Sequence, residues 1–246
     1  MKRRDVFIAA LGILLVWQLM AMIVDLPILP APFKVFRVFI TELQNGLLKH
    51  FVFSLWRVFA GMALSVLVAA PVGLAIGGSR KLNRFFSPLI YLLYPIPKVV
   101  FVPVVILFLG IGDTAKIAIM FLILFFQIVV LVRDQATGLP PQLIQSLQSL
   151  GAGRRALFRF VYLPASLPSI LTALRQSIGT AVAVLYITEL SATKYGLGYY
   201  IYYNGSTLLD YPAMYAGVMA MSLLGLGMYF SVDWFEHKWC KWKFVT

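Results

Sequence analysis

Residues 141–164 read Pro-Gln-Leu-Ile-Gln-Ser-Leu-Gln-Ser-Leu-Gly-Ala-Gly-Arg-Arg-Ala-Leu-Phe-Arg-Phe-Val-Tyr-Leu-Pro. This is the longest segment between two apolar runs that cannot itself cross a bilayer. Leu143, Leu147 and Leu150 fall at i, i+4 and i+7, one face of a short helix. Gln142, Gln145, Ser146, Gln148 and Ser149 take the other faces. Gly151 and Gly153 permit a turn, and Arg154, Arg155 and Arg159 follow with no acid in the segment. Pro164 fits the first position of a new helix. The pattern leaves two readings open: a docking element for another protein, or an amphipathic loop lying on lipid.

The flanking sequence decides the fold class. The chain has 246 residues, 61% hydrophobic and 12% charged, with a mean hydropathy of +0.88. A soluble domain is nearer half apolar and a quarter charged, so the expectation is an all-α polytopic membrane protein. Val6 to Val24 carries no charge over 19 residues, roughly 28 Å of helix at about 1.5 Å per residue, enough to cross. It is too long for the apolar core of a signal peptide and lacks a small-residue cleavage site. Further spans are expected at about 51–77, 86–109, 115–132, 169–189 and 213–235, making six in one transmembrane domain covering 1–246. Pro95, Pro97 and Pro103 interrupt the third. Residues 33–50 carry Lys34, Arg37, Glu42 and Lys49 among apolar neighbours, which suits an interfacial helix. Gly73 and Gly77 permit a close helix contact.

Six crossings put both termini on one side. That side would hold thirteen of the 21 Lys and Arg residues, against six on the other, with Lys98 and Arg175 inside spans. The excess places the termini and residues 141–164 in the cytoplasm. Most of the +12 formal charge is then topological, and nucleic acid is not an expected partner. The single cysteine, Cys240, excludes an internal disulfide and a cysteine metal cluster.

No catalytic constellation appears. The sequence has no nucleophile elbow, no His-Glu-x-x-His and no phosphate-binding loop ending in Lys-Ser or Lys-Thr. The chain is therefore expected not to be an enzyme and not to hydrolyse ATP. Ionisable groups at membrane depth are the best markers of a pathway, because an unpaired charge in lipid costs several kcal/mol. Lys98 either lines a cavity opened by the broken helix or snorkels to the interface. Gln127 either lines a path or bonds a neighbouring helix. Glu189 either pairs with Arg57, expected on the same side, or meets a substrate. Tyr199, Tyr200, Tyr202 and Tyr203 form either an interfacial belt or a ligand cage.

The opening stretch resembles a signature of ATP-binding-cassette (ABC) importer permeases: Glu-Ala-Ala, three residues, Gly, nine residues, Ile, any residue, Leu-Pro. Here it reads Gln145-Ser146-Leu147, three residues, Gly151, nine residues, Val161-Tyr162-Leu163-Pro164. Ser54-Leu-Trp-Arg57-Val-Phe-Ala-Gly61, Pro88, Pro95-Ile-Pro97, Pro103, Gly110-Ile-Gly112, Pro168 and Glu189 with Gly196-Leu-Gly198 extend the likeness to the nitrate/sulfonate/taurine branch. The resemblance implies a bacterial inner-membrane permease homodimer, an ATPase dimer carrying ATP and Mg, and an external solute-binding protein. Residues 141–151 would be the coupling helix, with Leu143, Gln145, Ser146, Leu147, Leu150, Gly151, Arg154 and Arg155 meeting the ATPase. Lys98, Gln127, Glu189 and Arg57 would mark the pathway, and this chain would hold no cofactor. Cargo is expected to be a small anion, with an aromatic vitamin precursor as the alternative and a scaffold without transport as a more distant one. Gln145 and Leu147 depart from the signature's Glu and second Ala, which removes a charge and adds bulk at a close contact.

Overall fold

The computed structural model describes residues 3–190 and 193–244. Most of those residues are helical, with no strand among them. In chain order the α-helices are α1 (Arg3–Val24), α2 (Pro32–Glu42), α3 (Leu48–Gly77), α4 (Arg80–Leu93), α5 (Val102–Leu109) and α6 (Asp113–Thr137). They continue with α7 (Pro141–Ser149), α8 (Arg154–Leu157), α9 (Leu163–Leu190), α10 (Leu197–Tyr202) and α11 (Tyr211–Trp239). Five helical stretches are long and apolar enough to cross a bilayer, and α4 and the stretch Lys98–Leu109 that includes α5 are so only when taken together, as a pair bent by 78°. The all-α, multi-span expectation therefore holds.

One boundary differs from the sequence reading, and another is sharpened. Within residues 33–50, α2 and α3 are separate helices that meet at a kink, where Gly46 (φ +128°) is not helical. Helix resumes at Arg154 and passes through a π-turn, Phe158–Tyr162, into α9. The basic half of the opening stretch is thus the foot of a span and not a loop.

The chain forms two compact units: Met1–Leu55 with Glu189–Leu224, and Trp56–Thr188 with Gly225–Thr246. In the first, α1 exposes most of its apolar residues, as a lipid-facing helix does. Trp17 of α1 meets Tyr215, their ring centroids 5.7 Å apart. Val35 and Leu47 are completely buried.

The second unit is built on the seam between α3 and α6. A Cβ added at Gly73 would lie 2.9 Å from the Val132 side chain, and one at Gly77 would lie 2.5 Å from the Arg133 carbonyl oxygen. Missing side chains at these two positions let the helix backbones approach, which is what association in lipid requires when no hydrophobic force drives it. Leu74, Met120, Leu124, Ile128 and Val132 are buried around that seam.

Gly77→Ala is expected to destabilise the folded protein by about 1–3 kcal/mol, the usual range for overpacking. Gly12→Ala on α1, where no atom lies within 4 Å of the added methyl, should not. Thermal unfolding in detergent, followed by size-exclusion, reads the difference; equal melting of the two variants would contradict the seam.

Candidate functional site

The opening stretch folds into the short helix its periodicity implies. Pro140 and Pro141 start α7, where a missing N–H costs nothing. Its end is a Schellman motif: the Ala152 amide donates to the Leu147 carbonyl at 3.1 Å, and the Gly151 amide to Gln148 at 2.9 Å. Gly151 sits at φ +79°, the left-handed conformation this motif demands. Ser146 and Ser149 donate their hydroxyls to the Gln142 and Gln145 carbonyls one turn back, so those donors are used inside the helix.

No residue of α7 is buried. Leu143 is 48% exposed, Leu150 is 85% exposed, and Gln145 and Arg155 are also exposed. The side chain of Arg154 lies outside the described residues. Behind α7 is a groove of about 360 Å³, lined by Leu143, Leu147, Phe160, Val161, Pro164, Ala165 and Trp242. The leucine face is therefore divided: Leu147 is partly covered while Leu143 and Leu150 stand open. A nine-residue helix with no buried residue gains too little from its own protein to be kept for stability alone.

Lys98 lies at the 78° break. Its Nζ donates to the carbonyls of Leu93 at 2.9 Å and Tyr94 at 2.6 Å, the last of α4. The Leu93 oxygen accepts from the Ile96 amide at 3.3 Å, and Pro97 cannot give it the usual helical bond, so the ammonium adds a donor there and meets the negative end of the helix dipole. The same Nζ is 4.9 Å from the Phe126 ring centroid. Gln127, beside Phe126 on α6, is half-buried. Near this break a cavity of about 750 Å³ opens between α4 and α6, with Ser87, Tyr91, Tyr94 and Arg133 among its lining.

Arg57, 4% exposed, donates from Nε to Asp113 Oδ1 at 2.8 Å, tying α3 to the first turn of α6. Glu189, fully buried in the first unit, accepts from the Ser54 hydroxyl at 2.8 Å and from the Gly198 amide at 2.8 Å. The Leu197 amide in turn donates to Ser54 Oγ at 2.8 Å. The carboxylate thus faces the N-terminus of α10, where the orphan amides and the dipole favour a negative charge. A Cβ at Gly196 would come within 2.5 Å of that carboxyl carbon, which explains the glycine. Around it, the Tyr200 hydroxyl donates to Glu42 at 2.8 Å, and burial, then Glu42, pushes its pKa up. Tyr195 is shifted the other way by its hydrogen bond to Lys49 and by the charge of that lysine. Tyr199 and Tyr203 stack at 5.6 Å.

The structure thus places Leu143, Gln145, Ser146, Leu147, Leu150 and Gly151 on one helix and its cap, and Arg154 and Arg155 at the start of α8. The expected pathway residues are divided: Lys98, Gln127 and Arg57 in one unit, Glu189 in the other. A further charged cluster went unread in the sequence. Arg175 Nη1 lies 2.5 Å from Asp233 and 3.2 Å from Glu236, and Lys243 donates to Glu236 at 2.6 Å. The acids sit three apart on α11, one helix face, which was the available signal. Among the described residues no cluster of three or more His, Cys, Asp or Glu is placed to hold a metal.

Residues 61–240 match the family described as binding-protein-dependent transport system inner membrane component. A putative ABC transporter permease protein of Methanocaldococcus jannaschii is 34% identical over 93% of this chain and 88% of its own length. The taurine transport system permease protein TauC of Escherichia coli is 32% identical over 72% of this chain and 64% of its own. The formylaminopyrimidine transport permease protein ThiX of Halalkalibacterium halodurans is 26% identical over 95% and 93%. In fold, the chain is similar to one in an inward-facing structure of the MetNI methionine ABC transporter. The TM-score is 0.69 at 20% identity, covering 80% of this chain and 98% of that one.

Glu189→Ala should free the segment after α9, with faster protease cleavage between 193 and 208 and a stability loss of at least ~2 kcal/mol, the scale of hydrogen bonds to a charged group. Glu189→Gln, which keeps one acceptor oxygen, should fall between. Cleavage at the original rate would remove the anchoring role.

Proposed function

The chain belongs to the binding-protein-dependent transport system inner membrane component family, and from that premise we propose that it forms the translocation pathway of an ATP-driven importer for a small anionic solute, sulfonate-, taurine- or nitrate-like. It is an ABC importer permease subunit, a multi-pass membrane protein whose partners are an ATPase, where ATP is hydrolysed, and an external binding protein. In this reading it works as a homodimer within lipid, with both termini cytoplasmic and ATP and Mg on the partner.

The observation that carries the coupling role is α7: a capped, amphipathic helix between spans with its Leu143 and Leu150 side chains open. ATP binding would close the ATPases around it. Motion would pass through the Schellman turn and the 158–162 π-turn into α9, since Leu157 and Val161 are buried in the same unit. Gln145 presents an amide where the signature has an acid, so contact here relies on apolar fit and neutral hydrogen bonds, which favours a dedicated ATPase.

Likeness to the taurine permease supports the anion reading, while that to the formylaminopyrimidine permease supports an aromatic precursor as the second reading. Because Lys98 is engaged with two helix-end carbonyls, its charge favours an anion through the local field and less through direct contact.

Leu147→Glu and Gly151→Pro are expected to lower uptake by more than tenfold with membrane insertion intact. Gly151→Ala meets only the left-handed backbone cost, about 1–2 kcal/mol, since nothing lies within 4 Å of its Cβ. Normal uptake by the first two variants would sink the docking role. Thermal shift of the binding protein across sulfonates, nitrate and pyrimidines identifies the cargo class; stabilisation by pyrimidines alone would replace the anion with the second reading.

A further inference from the structure

Residues 241–244 fold back after α11. After α11 the backbone turns through one 3₁₀ turn, Lys241–Phe244, with the Lys243 amide donating to the Cys240 carbonyl at 2.9 Å. Two side chains of that turn reach in different directions. Lys243 Nζ donates to Glu236 Oε1 at 2.6 Å and lies 3.5 Å from the Thr172 hydroxyl on α9. Trp242 forms one wall of the groove behind α7, facing Leu143, Leu147, Phe160, Val161 and Pro164.

Glu236 is the reason the ionic end matters. Only 1% of its side chain is exposed, near the C-terminal end of a membrane helix. Its first oxygen accepts from Lys243 and, at 3.3 Å, from Thr172; its second lies 3.2 Å from Arg175 Nη1, a charge contact without hydrogen-bond alignment. Arg175 is shared with Asp233. Two cations and two acids balance, so withdrawing Lys243 leaves a buried carboxylate relying on a guanidinium already engaged elsewhere. Removing one partner of such a pair costs far more than the pair contributes. Cys240, the residue just before the turn, has no exposed surface, and burial, then the nearby Glu236 charge, holds its thiol pKa up.

We propose that residues 240–244 are a strap positioning the coupling helix, with Lys243 locking the strap to α9 and α11 through Glu236 and Trp242 bracing α7 through Leu143 and Leu147. Both Lys243 and Trp242 are positioning residues: they act on transport only through α7. A rigid brace lets a push on α7 move α9 and α11 with it; a slack one lets α7 yield by itself while ATP is consumed. The inference rests on the coupling role proposed for α7, but the lock can be measured without it.

Cys240 is the single cysteine of the chain and so a native reporter of the strap. The test uses the complete transporter in proteoliposomes, with a membrane-permeant maleimide and the permease band resolved on a gel. Lys243→Ala is expected to label at Cys240 at least tenfold faster than the original chain, and Lys243→Arg, which keeps the cation, to restore slow labelling at equal abundance in the membrane. Labelling of Lys243→Ala at the original rate overturns the lock. In the same vesicles Trp242→Ala should lower solute imported per ATP hydrolysed severalfold, and an unchanged ratio overturns the bracing role. If Leu147→Glu transports normally, the coupling reading fails, whereas the labelling result still decides the lock by itself.

Discussion

A carboxylate with no exposed surface survives in a membrane protein only where donors surround it, and Glu189 is that carboxylate here. The Ser54 hydroxyl and the Gly198 amide converge on it, so it joins the early part of α3 to the end of α9 and the start of α10. Without that charge the α10 N-terminus loses the acceptor of an orphan amide and its dipole loses a counter-ion. The other unit repeats the principle twice, with Arg57 on Asp113 and Glu236 between Lys243 and Arg175. Each charge links segments far apart in sequence. Because an unpaired charge is so unfavourable in lipid, few such links are needed to select one arrangement of otherwise interchangeable apolar helices.

Sequence periodicity carried the fold a long way, because the spans are long, apolar and separated by prolines, glycines or charges. The α7 amphipathic pattern and its Gly151 stop were legible for the same reason: both are local chemistry, decided within one helical turn. Prolines 95 and 97 announced a break, but not its 78° angle nor that Lys98 would spend its donors on the Leu93 and Tyr94 carbonyls. Within residues 33–50 the kink at Gly46 that separates α2 from α3 left only a glycine as its trace.

Long-range pairing was the part least visible. Nothing near Asp113 in the sequence marks a partner for it, since its contact with Arg57 depends on how α3 and α6 lie together. Asp233 and Glu236 were overlooked as ordinary residues near an interface, although two acids on one face of a largely apolar helix call for cations. Lys243 could not be matched to them from spacing, since the 3₁₀ turn that folds it back follows no periodic pattern. What separates the two classes is distance along the chain: caps and faces are written within a few residues, and partners for buried charge are not.

The Arg57–Asp113 pair has a consequence for how the protein is made. Its members are separated by 56 residues, and a nascent chain emerges from its N-terminus. Arg57 therefore reaches the insertion machinery well before its carboxylate exists. Until α6 follows, the contact with Asp113 cannot form. The tie between α3 and the first turn of α6 is therefore closed only after both helices have been made.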